Sequence, residues 1–221
     1  MSLSDQLTAI DQLLSLGNLD SAKEMLLQAY MQITSSSNNS PDLNLAKIHD
    51  RLALIAIKDR QSALAIDHLA KSLEIKLSIN GVFNLGCSKT MDELAELYMQ
   101  ECKYSLAEPL LEESIKIRRI RSGNDHIETA NAMHHLANLY HAQEKYEKAE
   151  SFYQAALAKK TKLLGSTHEK VLFLLKDYAT LLQMTHREAE AEHLLARVAG
   201  LLSGHWQIGQ VTKSAEGAAE P

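Results

Sequence analysis

This 221-residue chain contains ten histidines, and histidine has the most versatile chemistry of its residue types. Histidine ligates metals and exchanges protons near neutral pH. His134 and His141 are seven residues apart, which on a helix separates them by about 10 Å and prevents them from sharing one ion. His186 and His193 have the same spacing, and no HExxH sequence occurs. The histidines therefore predict no metal site, and no cofactor is expected.

No motif of covalent or nucleotide-dependent catalysis accompanies the histidines. The sequence lacks GxSxG and GxxxxGK[ST], and no motif pairs Cys87 or Cys102 with a histidine. We expect semi-buried thiols and a protein that is not an enzyme. His126 and His168 occupy equivalent positions before two predicted helices, which indicates a repeated capping or packing role.

Composition and charge restrict the class of protein further. Hydrophobic residues make up 45% of the chain, which excludes wholesale disorder, and with only nine glycines and three prolines a turn-rich β-sandwich is not expected. The net charge of −5 argues against a nucleic-acid partner. The sequence has no run of 18 consecutive apolar residues, so membrane insertion is not expected. The N-terminus lacks a signal-peptide layout and cysteines are few, so we expect a cytoplasmic location.

An internal repeat of 42 residues organises the sequence. Segments starting at Leu94, Leu136 and Tyr178 align without gaps, and Leu52 opens a further copy one period earlier. Position-equivalent small residues recur as Ala53, Ala95, Ala137 and Ala179, and again as Ala65, Ala107, Ala149 and Ala191. The linker glycines Gly81, Gly123 and Gly165 keep the same spacing.

Each copy contains two blocks with the periodicity of an amphipathic helix. Leu136, Ala137 and Tyr140 share one helical face, and Ala149 and Tyr153 share a face of the next helix. One hairpin of two helices cannot bury its apolar stripe, so neighbouring hairpins must stack. The residues predicted to pack the repeats are Leu94, Ala95, Tyr98, Ala107, Leu136, Ala137, Tyr140, Ala149, Tyr153, Ala156, Ala179 and Ala191.

A small–Tyr pair in the first helix, followed by spaced alanines and an aromatic residue in the second, resembles the tetratricopeptide repeat (TPR). The long period and phrases such as QEKYEKAE resemble the kinesin-light-chain type of this repeat. The resemblance implies an all-α, right-handed α-solenoid of about five helical hairpins. We expect a TPR solenoid over residues 1–202 and a mostly disordered tail over 203–221. The approximate repeats are 3–40, 43–83, 88–124, 127–166 and 169–202.

In TPR arrays the first helices line a concave groove that binds partners, and this is what the resemblance implies here. Helix geometry places groove positions opposite the buried face, and the amides of Asn131 and Asn138 suit an extended peptide backbone. The predicted groove residues are Lys89, Asp92, Glu96, Asn131, His134, Asn138, His141, Lys176, Thr180 and Gln183. Equivalent positions of the second copy are Lys47, Asp50, Leu54 and Ile57, and Phe173 belongs to the fifth.

The predicted function is a non-enzymatic scaffold or adaptor that binds a peptide or protein segment in the groove. Asp177 stands where TPR domains that bind a C-terminal carboxylate carry an asparagine. It would repel a carboxylate ligand, so that mode is not expected. One alternative is a regulatory TPR domain that senses a peptide or small molecule. A second is a structural subunit that assembles into a homo-oligomer through an end repeat.

Overall fold

The computed structural model of the protein describes residues 2–36 and 42–216, and these residues form ten helices and no strand. The all-α class predicted from the sequence is thereby confirmed. The helices are α1 (Leu3–Ser15), α2 (Leu19–Ser36), α3 (Leu43–Lys58), α4 (Ser62–Asn80), α5 (Leu85–Gln100), α6 (Tyr104–Arg121), α7 (Ile127–Ala142), α8 (Tyr146–Leu164), α9 (Glu169–Met184) and α10 (Glu188–Glu216). No helix in the described ranges is both long and apolar enough to cross a bilayer.

The chain forms two compact units, Met1–Arg121 and Ser122–Pro221. The first unit contains the hairpins α1–α2, α3–α4 and α5–α6, with α2 packed on α3 and α4 on α5. The second contains the hairpins α7–α8 and α9–α10, with α8 and α7 both packed on α9. Two features differ from the predicted boundaries. Helix α5 begins at Leu85, before position 88, and α10 continues to Glu216, into the segment for which the sequence predicts disorder. Residues 217–221 of that segment lie outside the described residues.

The first helices begin at position-equivalent capping residues. Asp42, Asn84, His126 and His168 precede α3, α5, α7 and α9, and each side chain accepts a hydrogen bond from the backbone N–H two residues later. A helix begins with unpaired N–H groups, and a side-chain acceptor satisfies one of them. His126 and His168 accept through Nδ1 at 3.2 Å, which confirms the capping role predicted for these histidines.

The turn inside each hairpin contains a residue with a left-handed backbone. Gly17 has this conformation in the first hairpin, and Arg60, Cys102, Glu144 and His186 have it in the others, with φ between 56° and 59°. In the fourth hairpin the turn lets Lys145 N–H reach the carbonyl of Tyr140 at 2.9 Å. This bond closes the last turn of α7, because helix ends otherwise leave carbonyls unpaired.

Small side chains allow the helices of a hairpin to approach closely. Among the residues predicted to pack the repeats, only Tyr98 is half-buried. The others are buried, namely Leu94, Ala95, Ala107, Leu136, Ala137, Tyr140, Ala149, Tyr153, Ala156, Ala179 and Ala191. The core of each unit therefore lies between paired helices, and it leaves one side of each first helix available for other contacts.

Candidate interaction surface

The predicted ligand-facing positions on α3, α5, α7 and α9 are here called the first-helix face. Most of them are accessible. Lys47, Leu54, Ile57, Lys89, Glu96, Phe173, Lys176, Thr180 and Gln183 are exposed, and Asp50, Asn131, Asn138 and His141 are half-buried. Two do not lie at an open surface, since Asp92 and His134 are buried at 9% and 7% exposure.

Asp92 is buried because a cation on the neighbouring helix meets it. Nη1 of Arg118 in α6 lies 2.5 Å from Oδ2 of Asp92 and also donates to the hydroxyl of Ser114. The Ser114 hydroxyl in turn donates to Oδ1 of Asp92. A buried ion pair persists when its remaining polar atoms are hydrogen-bonded. Asp92 thus supports the hairpin and is not available to a ligand.

The preceding hairpin contains the same cluster one period earlier. Nζ of Lys76 lies 2.7 Å and 2.9 Å from the two carboxylate oxygens of Asp50, and the Ser72 hydroxyl donates to Asp50 at 2.5 Å. Lys76 also donates to the Thr90 hydroxyl at 2.6 Å. An acid on the first helix and a hydroxyl and a cation on the second therefore recur in consecutive hairpins of the first unit.

The second unit changes this cluster at two of its three positions. His134 replaces the acid, Ala156 replaces the serine, and Lys160 retains the cation. Nζ of Lys160 lies 3.1 Å from Nδ1 of His134, whose Nε2 lies 2.8 Å from Oδ2 of Asp177 in α9. The carboxylate is thus supplied by the next hairpin, through the imidazole ring.

Burial is the main cause of the pKa shifts of Lys160 and His134. Burial, together with charge repulsion from Lys170, lowers the pKa of Lys160 to about 8. Burial also lowers the pKa of His134, although its hydrogen bond to the Asp177 carboxylate opposes that shift. The imidazole is therefore neutral at pH 7, accepts from Lys160 through Nδ1 and donates to Asp177 through Nε2.

Lys76, Arg118, Lys160 and Asp177 are site residues that the sequence-based assignment did not include. A signal for three of them was present, because the cations recur every 42 residues, three or four residues beyond a buried position of the same helix face. Asp177 gave no comparable signal, since its contact with His134 depends on how α7 packs against α9.

A cavity of about 280 Å³ opens beside Asp177 in the second unit and is here called the Asp177 pocket. It is lined by Asn138, His141, Ala142, Tyr153, Asp177 and Thr180. The Tyr153 hydroxyl donates to Oδ1 of Asn138 at 2.6 Å and lies 3.3 Å from Nδ1 of His141. Its ring stacks on Tyr178 with centroids 5.8 Å apart, which fixes the position of the hydroxyl.

A larger cavity of about 460 Å³ lies in the first unit and is here called the Leu54 cavity. Ala53, Leu54, Ile57 and Leu69 supply its apolar part. Its polar part consists of Asp11, Asp50, Arg51, Lys76, Lys89, Thr90 and Glu93. The Arg51 guanidinium donates to both carboxylate oxygens of Asp11, at 2.8 Å and 2.6 Å, so these two charges already compensate each other.

Neither cavity groups its side chains as a metal site would. Within the described part of the chain, no three His, Cys, Asp or Glu side chains come together as ligands would. Cys87 is buried, and burial raises the pKa of its thiol, whereas Cys102 is exposed.

Comparison with solved structures finds the same fold in several proteins. A protein from Podosopora anserina described as a kinesin light chain with nearly identical TPR-like repeats is 21% identical, with a TM-score of 0.77 over 92% of this chain and 96% of the other. BtubC (BKLC) from P. vanneervenii is 17% identical, with a TM-score of 0.78 over 99% and 82%. RapI in its apo form is 13% identical, with a TM-score of 0.79 over 96% and 74%. At these identities the similarity establishes the fold alone.

Sequence comparison identifies the family. No curated protein matches the chain in sequence. The model of the tetratricopeptide repeat family matches residues 87–162 and 128–202, which together exceed half of the chain. The helical hairpins and the similar solved structures agree with this match. The chain therefore belongs to the tetratricopeptide repeat family and has the TPR-like all-α fold.

Proposed function

We propose that the chain is a non-enzymatic scaffold that binds segments of partner proteins on its first-helix face. The observation that carries this proposal is that each unit has a cavity lined from the same repeat positions. Leu54, Asn138 and Thr180 are separated by multiples of 42 residues, as are Ile57 and His141. TPR proteins bind partners through surfaces of this kind, as the family assignment implies.

The Leu54 cavity suits an apolar side chain of a bound segment. Leu54 and Ile57 are 41% and 40% exposed although they lie beside buried residues. Covering them removes apolar surface from water, which stabilises a complex by roughly 25 cal/mol per Å². The neighbouring Arg51–Asp11 and Lys76–Asp50 pairs are already satisfied, so a ligand does not need to neutralise them.

Asn131 suits the backbone of such a segment in the second unit. Its side chain is half-buried, and it makes no side-chain hydrogen bond with the residues that the structure describes. An amide offers both a donor and an acceptor, as an extended backbone does. Asn138 is less free, because its Oδ1 already accepts from Tyr153 at 2.6 Å. We therefore assign the backbone contact to Asn131 first.

The test compares partners captured by the full chain with those captured by variants of the face. Leu54→Glu places a charge in the apolar cavity, and Asn131→Ala removes the amide. We expect each variant to fold normally. The amount of captured partner should fall at least about tenfold relative to the wild type, for a partner that binds the unit carrying the substitution.

Leu64→Glu is the matched control for Leu54→Glu, because Leu64 lies on α4 of the same hairpin and is 44% exposed. It introduces the same charge away from the first-helix face and is expected to leave capture unchanged. Equal capture by Leu54→Glu, Asn131→Ala and the wild type would exclude the face as the binding surface.

A further inference from the structure

The Asp177 pocket presents hydrogen-bond acceptors because most of its donors are engaged internally. The Tyr153 hydroxyl donates to Asn138, and the Thr180 hydroxyl donates to the carbonyl of Lys176 at 3.0 Å. Since the tyrosine hydrogen points to Asn138, the contact at 3.3 Å requires His141 to donate from Nδ1. The second ring nitrogen of His141, Nε2, is then an acceptor.

Asp177 adds a carboxylate oxygen with unused capacity. Its Oδ2 receives His134 at 2.8 Å and Asn138 at a longer 3.5 Å. No side chain in the described ranges donates to its Oδ1. Lys160 does not reach the carboxylate, because its own contact is with the far nitrogen of the His134 ring. The Asp177 side chain is 28% exposed, so a ligand can reach it.

We propose that the Asp177 pocket binds the guanidinium group of an arginine side chain in a partner segment. A guanidinium carries only donors, in a planar fork that matches a carboxylate and neighbouring acceptors. Asp177, His141 and Thr180 all line the cavity, and together they offer acceptor atoms and one negative charge. The pocket does not suit a carboxylate ligand, because Asp177 carries the same charge and few hydrogen-bond donors are free.

The size of the cavity agrees with a single side chain. Its volume of about 280 Å³ lies just below the roughly 300–1,000 Å³ of pockets that hold drug-sized molecules. The pocket therefore selects one residue of a longer segment. This inference rests on the proposed function only for the origin of the arginine, since the recognition chemistry belongs to the pocket itself.

The experiment titrates the full chain with N-acetyl-arginine-N-methylamide and follows backbone amide shifts by NMR. We expect saturable shifts at Asn138, His141 and Thr180, with a dissociation constant on the order of 1 mM for so small a ligand. The neutral isostere N-acetyl-citrulline-N-methylamide is expected to bind at least about tenfold more weakly. Equal binding of the two compounds, or no saturable shift at these residues, would overturn the proposal.

Two variants provide the structural control. Asp177→Asn removes the charge and is expected to weaken the arginine compound by at least about tenfold. Because this change also alters the partner of His134, a second variant is needed, and Thr180→Lys provides it. Thr180 is exposed, so the fold tolerates a lysine there, and the introduced ammonium group repels the guanidinium. Wild-type affinity for the arginine compound in a folded Thr180→Lys variant would contradict the assignment.

Failure of this inference is distinguishable from failure of the proposed function. If citrulline binds as well as arginine while Leu54→Glu still loses a captured partner, the face binds proteins but the pocket does not select arginine. If arginine binds specifically while partner capture is indifferent to the face, the pocket is real and the scaffold proposal fails.

Discussion

Nζ of Lys160 lies 3.1 Å from Nδ1 of His134, at the repeat position where Lys76 and Arg118 each meet an aspartate. The side chain of Lys160 is buried at 3% exposure, yet no carboxylate contacts it directly in the described part of the chain. An ammonium group loses hydration on burial, and a neutral imidazole compensates for this less well than a carboxylate does. The fourth repeat therefore contains a destabilised cation.

The first prediction is that Lys160 makes stability increase with pH. The unfolded chain keeps this lysine protonated up to its ordinary pKa of 10.5, whereas the folded pKa is about 8. Between these values the unfolded state binds more protons, so the free energy of unfolding rises with pH. This contribution is about 2 kcal/mol between pH 8 and 10. Urea denaturation of the wild type and Lys160→Met at several pH values measures it.

The difference between the two proteins isolates this lysine, because other titrating groups are common to both. Lys162→Met is the matched control, since Lys162 is 71% exposed, and it should keep the wild-type pH dependence. His134→Asp supplies the carboxylate of the preceding repeats and should also flatten the curve. Parallel curves for the wild type and Lys160→Met would mean that Lys160 is not buried as a cation.

The second prediction concerns the buried pair of Asp92 and Arg118. Arg118→Met leaves the Asp92 carboxylate buried without its cation and should lower the free energy of unfolding by about 3–5 kcal/mol. Combining it with Asp92→Leu removes the unpaired charge and should restore most of this loss. Chemical denaturation of the single and double variants measures both effects.

The exposed pair of Lys71 and Asp67 provides the comparison for this experiment, because its side chains are 51% and 48% exposed. Lys71→Met should change stability by less than about 1 kcal/mol. If Arg118→Met had an equally small effect, the Asp92 carboxylate would be solvated and not buried.

The third prediction tests the buried face of α7. Tyr140 is 4% exposed, and its ring lies 5.7 Å from that of Phe152 in α8. Tyr140→Ala should cost on the order of 3 kcal/mol, because it leaves a cavity between the two helices. Phe173→Ala truncates an aromatic residue that is 67% exposed and should change stability by no more than about 0.5 kcal/mol. Unchanged thermal unfolding of Tyr140→Ala would show that this face is assigned incorrectly.

The fourth prediction concerns the left-handed turn of the fourth hairpin. Glu144 has φ of 59°, which a residue with a Cβ adopts at a steric cost and glycine does not. Glu144→Gly should therefore stabilise the protein by about 0.5–1 kcal/mol. The same substitution at Glu147, in the first turn of α8, should instead destabilise it, by up to about 1 kcal/mol. Equal effects of the two changes on the denaturation midpoint would contradict a turn-specific cause.

The sequence predicted the helix pairs because their apolar spacing and their 42-residue period reinforce each other. It also predicted a capping or packing role for His126 and His168, since their positions relative to the helices recur, and both cap a helix. The burial of Asp92 and His134 was not predicted, because helical periodicity assigns polar residues to the open face. Each of these residues meets a cation near the C-terminal end of the second helix of its hairpin, and only tertiary packing brings the two together. The contact of His134 with Asp177 depends on packing between hairpins for the same reason.

Site-specific photo-crosslinking tests the central claim, that the first-helix face binds a partner protein, most directly. A benzophenone amino acid would be placed at Leu54 and at Thr180, on the first-helix face. It would also be placed at Leu64 and Ala155, exposed positions of second helices. The account predicts covalent adducts with a partner protein at positions 54 or 180 and none above background at positions 64 and 155. Adducts confined to positions 64 and 155, or equal at all four, would contradict it.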